Sequence, residues 1–231
     1  MAKLRDRAEN ETGEQKDALL NITGETRVMI QRAKLLHDSG FRFAMIDVVT
    51  CGTSAVQTLR DECGDLGLAI HAHRAMHAAF DRNPRHGISM YFLAKMMRLI
   101  GVDEIHVGTA IGKLVGTRKE VVGIADMLRS SGVKADTMLE QDWGTIKPVL
   151  PVSSGGLHPG LLPAVMNILG NDCMLLVSGG IHGHPKGTRA GAAAAMQAIE
   201  AAMNGIDLKE YAGSHKELQQ ALDKWEYLKP R

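Results

Sequence analysis

The 231-residue sequence predicts an α/β fold, an incomplete (β/α)8 or TIM barrel. Three observations predict it. Strand-like apolar runs alternate with amphipathic stretches at roughly 25–40 residue spacing, the pattern of parallel strands joined by right-handed crossovers. Polar residues of chemical interest sit at the C-terminal end of almost every candidate strand. A barrel gathers such ends into one mouth, whereas an open sheet spreads them along an edge. Glycine-rich turns follow the last two strands, Ser153-Ser154-Gly155-Gly156 and Ser178-Gly179-Gly180, where barrels place a phosphate grip after strands 7 and 8. Only six strands are readable. If the last two are strands 7 and 8, strands 3–8 are present and strands 1 and 2 are missing.

In chain order, Ala18–Thr23 is the first strand. Glu25–Ser39 is helical, with Val28, Met29, Arg32, Leu35 and Leu36 at helical spacing and Gly40 as its stop. Phe43–Thr50 is an Ile- and Val-rich strand, and Thr53–Leu66 a helix with Val56, Leu59 and Cys63 on one face. Leu68–Arg74 is the third strand, followed by an apolar helix, Ser89–Ile100, that ends at Gly101. Glu104–Thr109 is the fourth strand and Arg118–Ser131 its helix. Ile146–Val152 and Gly160–Leu169 make the fifth pair, and Met174–Ser178 with the Ala-rich Gly187–Asn204 the sixth. Ser214 and Glu217 match a capping box that opens a last helix, Ser214–Trp225. The expected organisation is a barrel domain over 1–212 with a helical tail over 213–231 of the same domain.

Composition excludes several classes. Lys+Arg is 27 and Asp+Glu 26, so a net charge of +1 offers no electrostatic case for nucleic acid or an anionic membrane. The longest weakly polar run, Ala190–Met203, falls short of the ~20 residues a bilayer span needs. The N-terminal residues are charged throughout, unlike a signal peptide. The three cysteines, Cys51, Cys63 and Cys173, form no C-x-x-C pair, which reads as idle thiols in a reducing compartment. The expectation is a soluble, cytoplasmic protein.

The densest chemical cluster is His71-Ala-His73-Arg74-Ala-Met-His77. On a strand, residues i and i+2 face one side, so His71 and His73 point together. Arg74, at the strand end, can grip a phosphate through paired hydrogen bonds. His-x-His is also a zinc-ligand spacing, but no partner Cys or Glu-x-x-His follows and Arg74 would repel a cation. His106 ends the next strand. Gly108, Gly112 and Gly116 then flank Lys113 at four-residue intervals, as in a hinged lid carrying a cation. The two Gly-rich turns leave backbone N–H groups free to form anion nests. Together with Arg74 they suggest a substrate with two anionic ends. Asp47, at a strand end, is either catalytic or a turn cap.

These motifs carry a family resemblance. His71–His77, Asn83-Pro-x-His86-Gly87, Ile105-His106-x-Gly108-Thr109 and Gly112-Lys113-Leu114-x-Gly116 resemble the large chain of ribulose-1,5-bisphosphate carboxylase/oxygenase (RuBisCO). So do Pro151-Val-Ser153-Ser154-Gly155-Gly156-Leu157-His158-Pro159-Gly160 and Gly179-Gly180-Ile181-His182-Gly183-His184-Pro185, and their wording is closest to the archaeal form III or II/III type. The resemblance runs from about Glu11 to Trp225.

The resemblance implies addition of CO₂ or O₂ to the enediolate of ribulose-1,5-bisphosphate, giving 3-phosphoglycerate, in a homodimer or higher homo-oligomer. It implies His73 as a general acid/base, and Arg74 and His106 as ligands of one phosphate. Lys113 would touch the other phosphate and the nascent carboxylate, so it counts as catalytic and substrate-binding. Ser154 would meet a substrate hydroxyl, and Gly155, Gly156, Ser178 and Gly179 would form the backbone phosphate loops. At Ser178 the family usually has glycine. His77 would support the cluster. The family also implies Mg²⁺ on a carbamylated lysine, an Asp and a Glu. That Lys-x-Asp-Glu motif is absent here, as are the first-strand lysine and the family's N-terminal domain, so no metal ligand is assigned and the chain alone is expected to be inactive. It reads as a partial reading frame or an internally started chain. The alternatives are a RuBisCO-like enolase or isomerase on a phosphorylated (thio)sugar, a metal-dependent barrel hydrolase using His71 and His73, and a non-catalytic bisphosphate-binding remnant.

Overall fold

A computed structural model describes residues 1–83, 85–111, 117–134 and 140–226. It divides into two compact units, Met1–His106 with Met127–Val149, and Val107–Asp126 with Leu150–Arg231. The first unit holds α1 (Ala2–Thr12), β1 (Leu20–Asn21), α2 (Thr26–Asp38), β2 (Phe43–Asp47), α3 (Val48–Cys51), α4 (Thr53–Asp65), β3 (Ala69–His73), α5 (Ala78–Asp81), α6 (Met90–Ile100) and β4 (Glu104–His106). The last turn of α7 (Arg118–Arg129) and a short antiparallel pair, β5 (Gly132–Val133) and β6 (Gln141–Asp142), complete it. Its strands lie parallel in the order β1-β2-β3-β4.

This order follows from the sequence. Each strand is short and free of proline, and each crossover carries a helix whose apolar residues recur at helical spacing. Helix α2 buries Met29, Ala33 and Leu36, and α4 buries Val56, Leu59 and Cys63. The Ser89 side chain accepts the Phe92 N–H at 3.2 Å to start α6, and Gly101 ends it at φ 96°. The Cys63 thiol is pushed up to about 11, chiefly by burial, which suits an inert core thiol.

The second unit holds β7 (Leu150–Ser154), a 3₁₀ turn (Pro159–Leu161), α8 (Leu162–Leu169), β8 (Met174–Leu176), α9 (Gly179–His182), α10 (Thr188–Met203), α11 (Leu208–Ala212) and α12 (Lys216–Trp225). Strands β7 and β8 pair in parallel. The small residues of α10 (Gly191, Ala194, Ala195, Ala198 and Ala201) are buried. Trp225 stacks on the His158 ring with centroids 5.7 Å apart. Among the described residues, no helix is long and apolar enough to cross a membrane.

Several expectations shift. The strand expected at Ile146–Val152 occupies Leu150–Ser154 instead. Pro148 has no N–H to give a ladder, the Ile146 and Lys147 carbonyls accept from Arg98, and the Val149 N–H goes to the Leu128 carbonyl. The strand expected to reach Thr50 stops at Asp47, because α3 begins there. The capping box does not form. His215 is the N-cap, the Ser214 hydroxyl donates to the Tyr211 carbonyl, and Glu217 accepts from Gln197 Nε2. The family resemblance implies a helix at the N-terminus, and α1 stands there; its Arg5 donates to the Ser39 and Gly40 carbonyls and covers the Phe41 ring.

Candidate active site

Strand register builds the site in the first unit. Asp47 of β2 pairs with His73 of β3, and His71 of β3 pairs with Glu104 of β4. Asp47 Oδ1 lies 2.6 Å from His73 Nδ1. Its other oxygen accepts from Asn21 Nδ2 at 3.1 Å, and its backbone N–H donates to Thr23 Oγ1 at 2.8 Å. Asp47 is therefore fixed by β1 and its following loop, and it orients a histidine. A carboxylate against Nδ1 keeps a proton there and leaves Nε2 as the free lone pair, the state a general base needs.

Behind His73 lies a buried pair. His71 is wholly buried and His106 nearly so. Their Nε2 atoms are 2.7 Å apart. The His106 ring stands perpendicular to both His71 and His73, with centroids 4.8 Å away in each case. Burial first, then the neighbouring His71, His73 and Arg74, pull the His106 imidazole down to about 3 against an opposing pull from Asp47. His106 is thus a neutral imidazole at neutral pH. His71 and His73 do not converge on one point as zinc ligands would: each directs a ring nitrogen to a different protein partner. Among the described residues, no group of three His, Cys, Asp or Glu side chains gathers to hold a metal. Mg²⁺ takes hard oxygen donors, and the two carboxylates here are set against histidines, so these residues do not fit that ion.

Arg74 follows β3 in a tight turn, where the His77 N–H donates to the Arg74 carbonyl at 3.0 Å. Met76 in this turn has φ 67°, a left-handed backbone rare for a side-chain-bearing residue. Such strain concentrates at sites where a neighbouring group must be held in place. His77 Nδ1 lies 2.6 Å from Asp81 Oδ2, which supports the turn. Arg74 lines a cavity of about 120 Å³ whose other walls include Val48, Val49, Gly52, Phe80, Leu93 and Ile105.

In the second unit, Ser154 ends β7 beside the fully buried Ser153. Gly155 and Gly156 follow at φ 106° and 68°, values that favour glycine. Ser178 precedes α9, and its carbonyl accepts from the Ile181 and His182 N–H groups. Its φ of −112° is open to any residue, so serine in place of glycine costs no left-handed strain there. Lys113 lies outside the described residues.

Two residues were missed. Glu104 sits two positions before His106 on one strand, so i, i+2 alternation alone places both on one face. Gly180, read only as one glycine of a Gly-rich turn, is the other whose own role was not assigned. A Cβ there would lie 2.4 Å from the Leu157 carbonyl oxygen and 2.5 Å from His158 Cα, so the two Gly-rich loops pack backbone to backbone. A Cβ on Gly179 would meet nothing within 4 Å. Gly180→Ala is expected to destabilise the chain by about 3 kcal/mol through overpacking, and Gly179→Ala by less than about 1 kcal/mol. Urea unfolding followed by Trp fluorescence measures both, and equal losses would contradict this packing.

The sequence matches the family described as ribulose bisphosphate carboxylase large chain, catalytic domain, over residues 1–225, so the similarity begins ahead of Glu11. A protein from Pyrococcus abyssi named ribulose bisphosphate carboxylase is 53% identical over 229 residues, covering 99% of this chain and 51% of the relative. A crystal structure of an archaeal Rubisco superposes with a TM-score of 0.94 at 51% identity, covering 100% of this chain and 54% of the other. An octameric Rubisco from Pyrococcus horikoshii gives 0.89 at 51% identity, covering 96% and 51%. The chain thus spans about half the length of the relatives it matches. The relatives carry the carboxylase name, and none of the alternative activities finds support among them. With the match running through nearly every residue described above, the chain belongs to the ribulose bisphosphate carboxylase large-chain family.

Proposed function

We propose that this chain is the catalytic-domain portion of an archaeal-type ribulose-1,5-bisphosphate carboxylase/oxygenase. In its full-length form it adds CO₂ or O₂ to the enediolate of ribulose bisphosphate and yields 3-phosphoglycerate. The observation that supports this best is the Asp47–His73 pair beside Arg74 and His106. A base held by a carboxylate stands next to a guanidinium and a neutral imidazole, which suits proton transfer on a phosphorylated sugar.

In this reading His73 moves protons at the reacting carbons, with Asp47 holding its Nδ1 proton. Arg74 binds one substrate phosphate through its fixed fork of donors, and His106 donates to it as an uncharged imidazole. Ser154 takes a sugar hydroxyl. Gly155, Gly156, Ser178 and Gly179 offer backbone N–H groups to the other phosphate, and Lys113 contacts that phosphate and the new carboxylate. Mg²⁺ belongs to the family reaction through a Lys-x-Asp-Glu set that this sequence does not contain, so no step on the metal is assigned to these residues. The full-length protein is a homo-oligomer.

The test is direct. Purified 231-residue chain, given ribulose bisphosphate, labelled bicarbonate and Mg²⁺, is expected to form no labelled 3-phosphoglycerate. Label in that product would overturn the assignment of the metal set to residues outside this chain.

A further inference from the structure

The buried array behind His73 has a partner that the catalytic reading does not use. Glu104 is 2% exposed, and neither carboxylate oxygen has a hydrogen-bond partner. Among the described residues, the basic group within ion-pair distance of it is His71, whose Nδ1 lies 3.3 Å from Glu104 Oε2. The other nitrogen of the same ring is the one 2.7 Å from His106 Nε2. Two ring nitrogens that close cannot both carry protons, nor can both be bare, so a single proton bridges them. Its owner decides which nitrogen of His106 is protonated.

We propose that Glu104 is a positioning residue that acts through His71 to place the His106 proton on Nδ1. A buried carboxylate without hydrogen bonds is unfavourable unless a counter-charge faces it. A doubly protonated His71 supplies that charge from Nδ1–H. Its Nε2–H then fills the bridge, His106 Nε2 accepts, and the one proton of neutral His106 sits on Nδ1. The other charged or titratable groups around His106 fit this arrangement. His73 is turned to Asp47, and positive His71 and Arg74 disfavour a second proton on His106. The alternative state, with a neutral His71 whose one proton faces Glu104 from Nδ1, would put the bridging proton on His106 Nε2 and leave His106 Nδ1 bare. Such an imidazole would meet an anion with a lone pair instead of a donor.

The inference rests on the carboxylase reading only for the use made of that proton. The proton's position is readable without substrate. The experiment is magic-angle-spinning ¹⁵N NMR of histidine-labelled chain at pH 7, with His71→Gln and His106→Gln samples used to assign the two rings. It reads sedimented protein and needs no turnover. In the unmodified chain, His71 is expected to show two protonated nitrogens, and His106 a protonated Nδ1 with a bare Nε2. A His106 protonated on Nε2, or a singly protonated His71, would overturn the proposal even if no Glu104 variant folds. In Glu104→Gln the amide oxygen keeps a polar group facing Nδ1–H but the charge is gone. His71 then becomes neutral and the His106 proton moves fully to Nε2. An unchanged His106 in that variant would also overturn it, since a purely structural Glu104 would leave the tautomer alone. None of these results depends on whether the chain carboxylates ribulose bisphosphate.

Discussion

Arg98→Met is expected to destabilise the chain by about 3–5 kcal/mol, because it breaks a buried hydrogen-bond network and leaves several buried carbonyls unsatisfied at about 1–3 kcal/mol each before relaxation. Arg98 is 1% exposed and sits in the apolar helix α6. Among the described residues its hydrogen-bond partners are backbone carbonyls: Nε donates to Lys147 at 3.2 Å, and Nη1 to Ser130 at 2.9 Å and to Met127. Nη2 donates to Ile146 at 3.3 Å, and the guanidinium lies 4.2 Å from the centre of the Trp143 ring. Met127 and Ser130 are at the C-terminal end of α7, where carbonyls lack helical partners and a cation is favoured. Methionine fills the volume but leaves four carbonyls without this donor. Arg98→Lys is expected to recover less than half of the loss, because an ammonium is a point donor and cannot span the same fork. Urea unfolding read by Trp143 fluorescence checks this. A loss under about 1 kcal/mol for Arg98→Met, or full rescue by lysine, would contradict the account.

The second large effect is pH dependence from His106. Its folded-state value is held near 3, against 6.5 for an ordinary histidine. Between those two values the unfolded chain binds a proton that the folded chain refuses, so stability falls as pH falls through this window. Above about pH 6.5 this term is fully present. From pH 7 to pH 4.5 the loss from this group amounts to about 2–3 kcal/mol. His106→Gln removes it, so the parent chain should lose that much more stability than the variant over the same interval. Carboxylates that titrate nearby contribute to both chains and cancel in the comparison. Urea midpoints at the two pH values decide the matter, and parallel losses would show that His106 is not held neutral by its surroundings.

The two groups differ in how far the sequence exposes them. His71 and His73 are readable as a pair, because strand alternation is a local property, and Arg74 follows as the residue at the strand end. The partners are not readable. Asp47 meets His73, and Glu104 meets His71, through the register of separate strands joined by long crossovers. No local pattern fixes that register. Arg98 looks like an ordinary basic residue in the last turn of a helix, and only tertiary packing shows it enclosed. The capping box at Ser214 fails for the opposite reason. The Ser-x-x-Glu pattern is present locally, but Gln197 on α10 takes the Glu217 carboxylate and the Leu218 N–H, and His215 is the N-cap. The glycine-rich turns were legible as loops, yet which glycine packs and which stays open depends on the neighbouring backbone.

On the proposed reading, these residues are expected to serve ribulose bisphosphate carboxylation when joined to the half of a relative that this chain does not match. The most direct test fuses this chain to the remaining half of the Pyrococcus abyssi relative and measures incorporation of labelled CO₂. The fusion is expected to form labelled 3-phosphoglycerate that depends on ribulose bisphosphate and is abolished by His73→Ala or Arg74→Ala. A folded fusion that forms none, while the intact relative is active in the same assay, would contradict it.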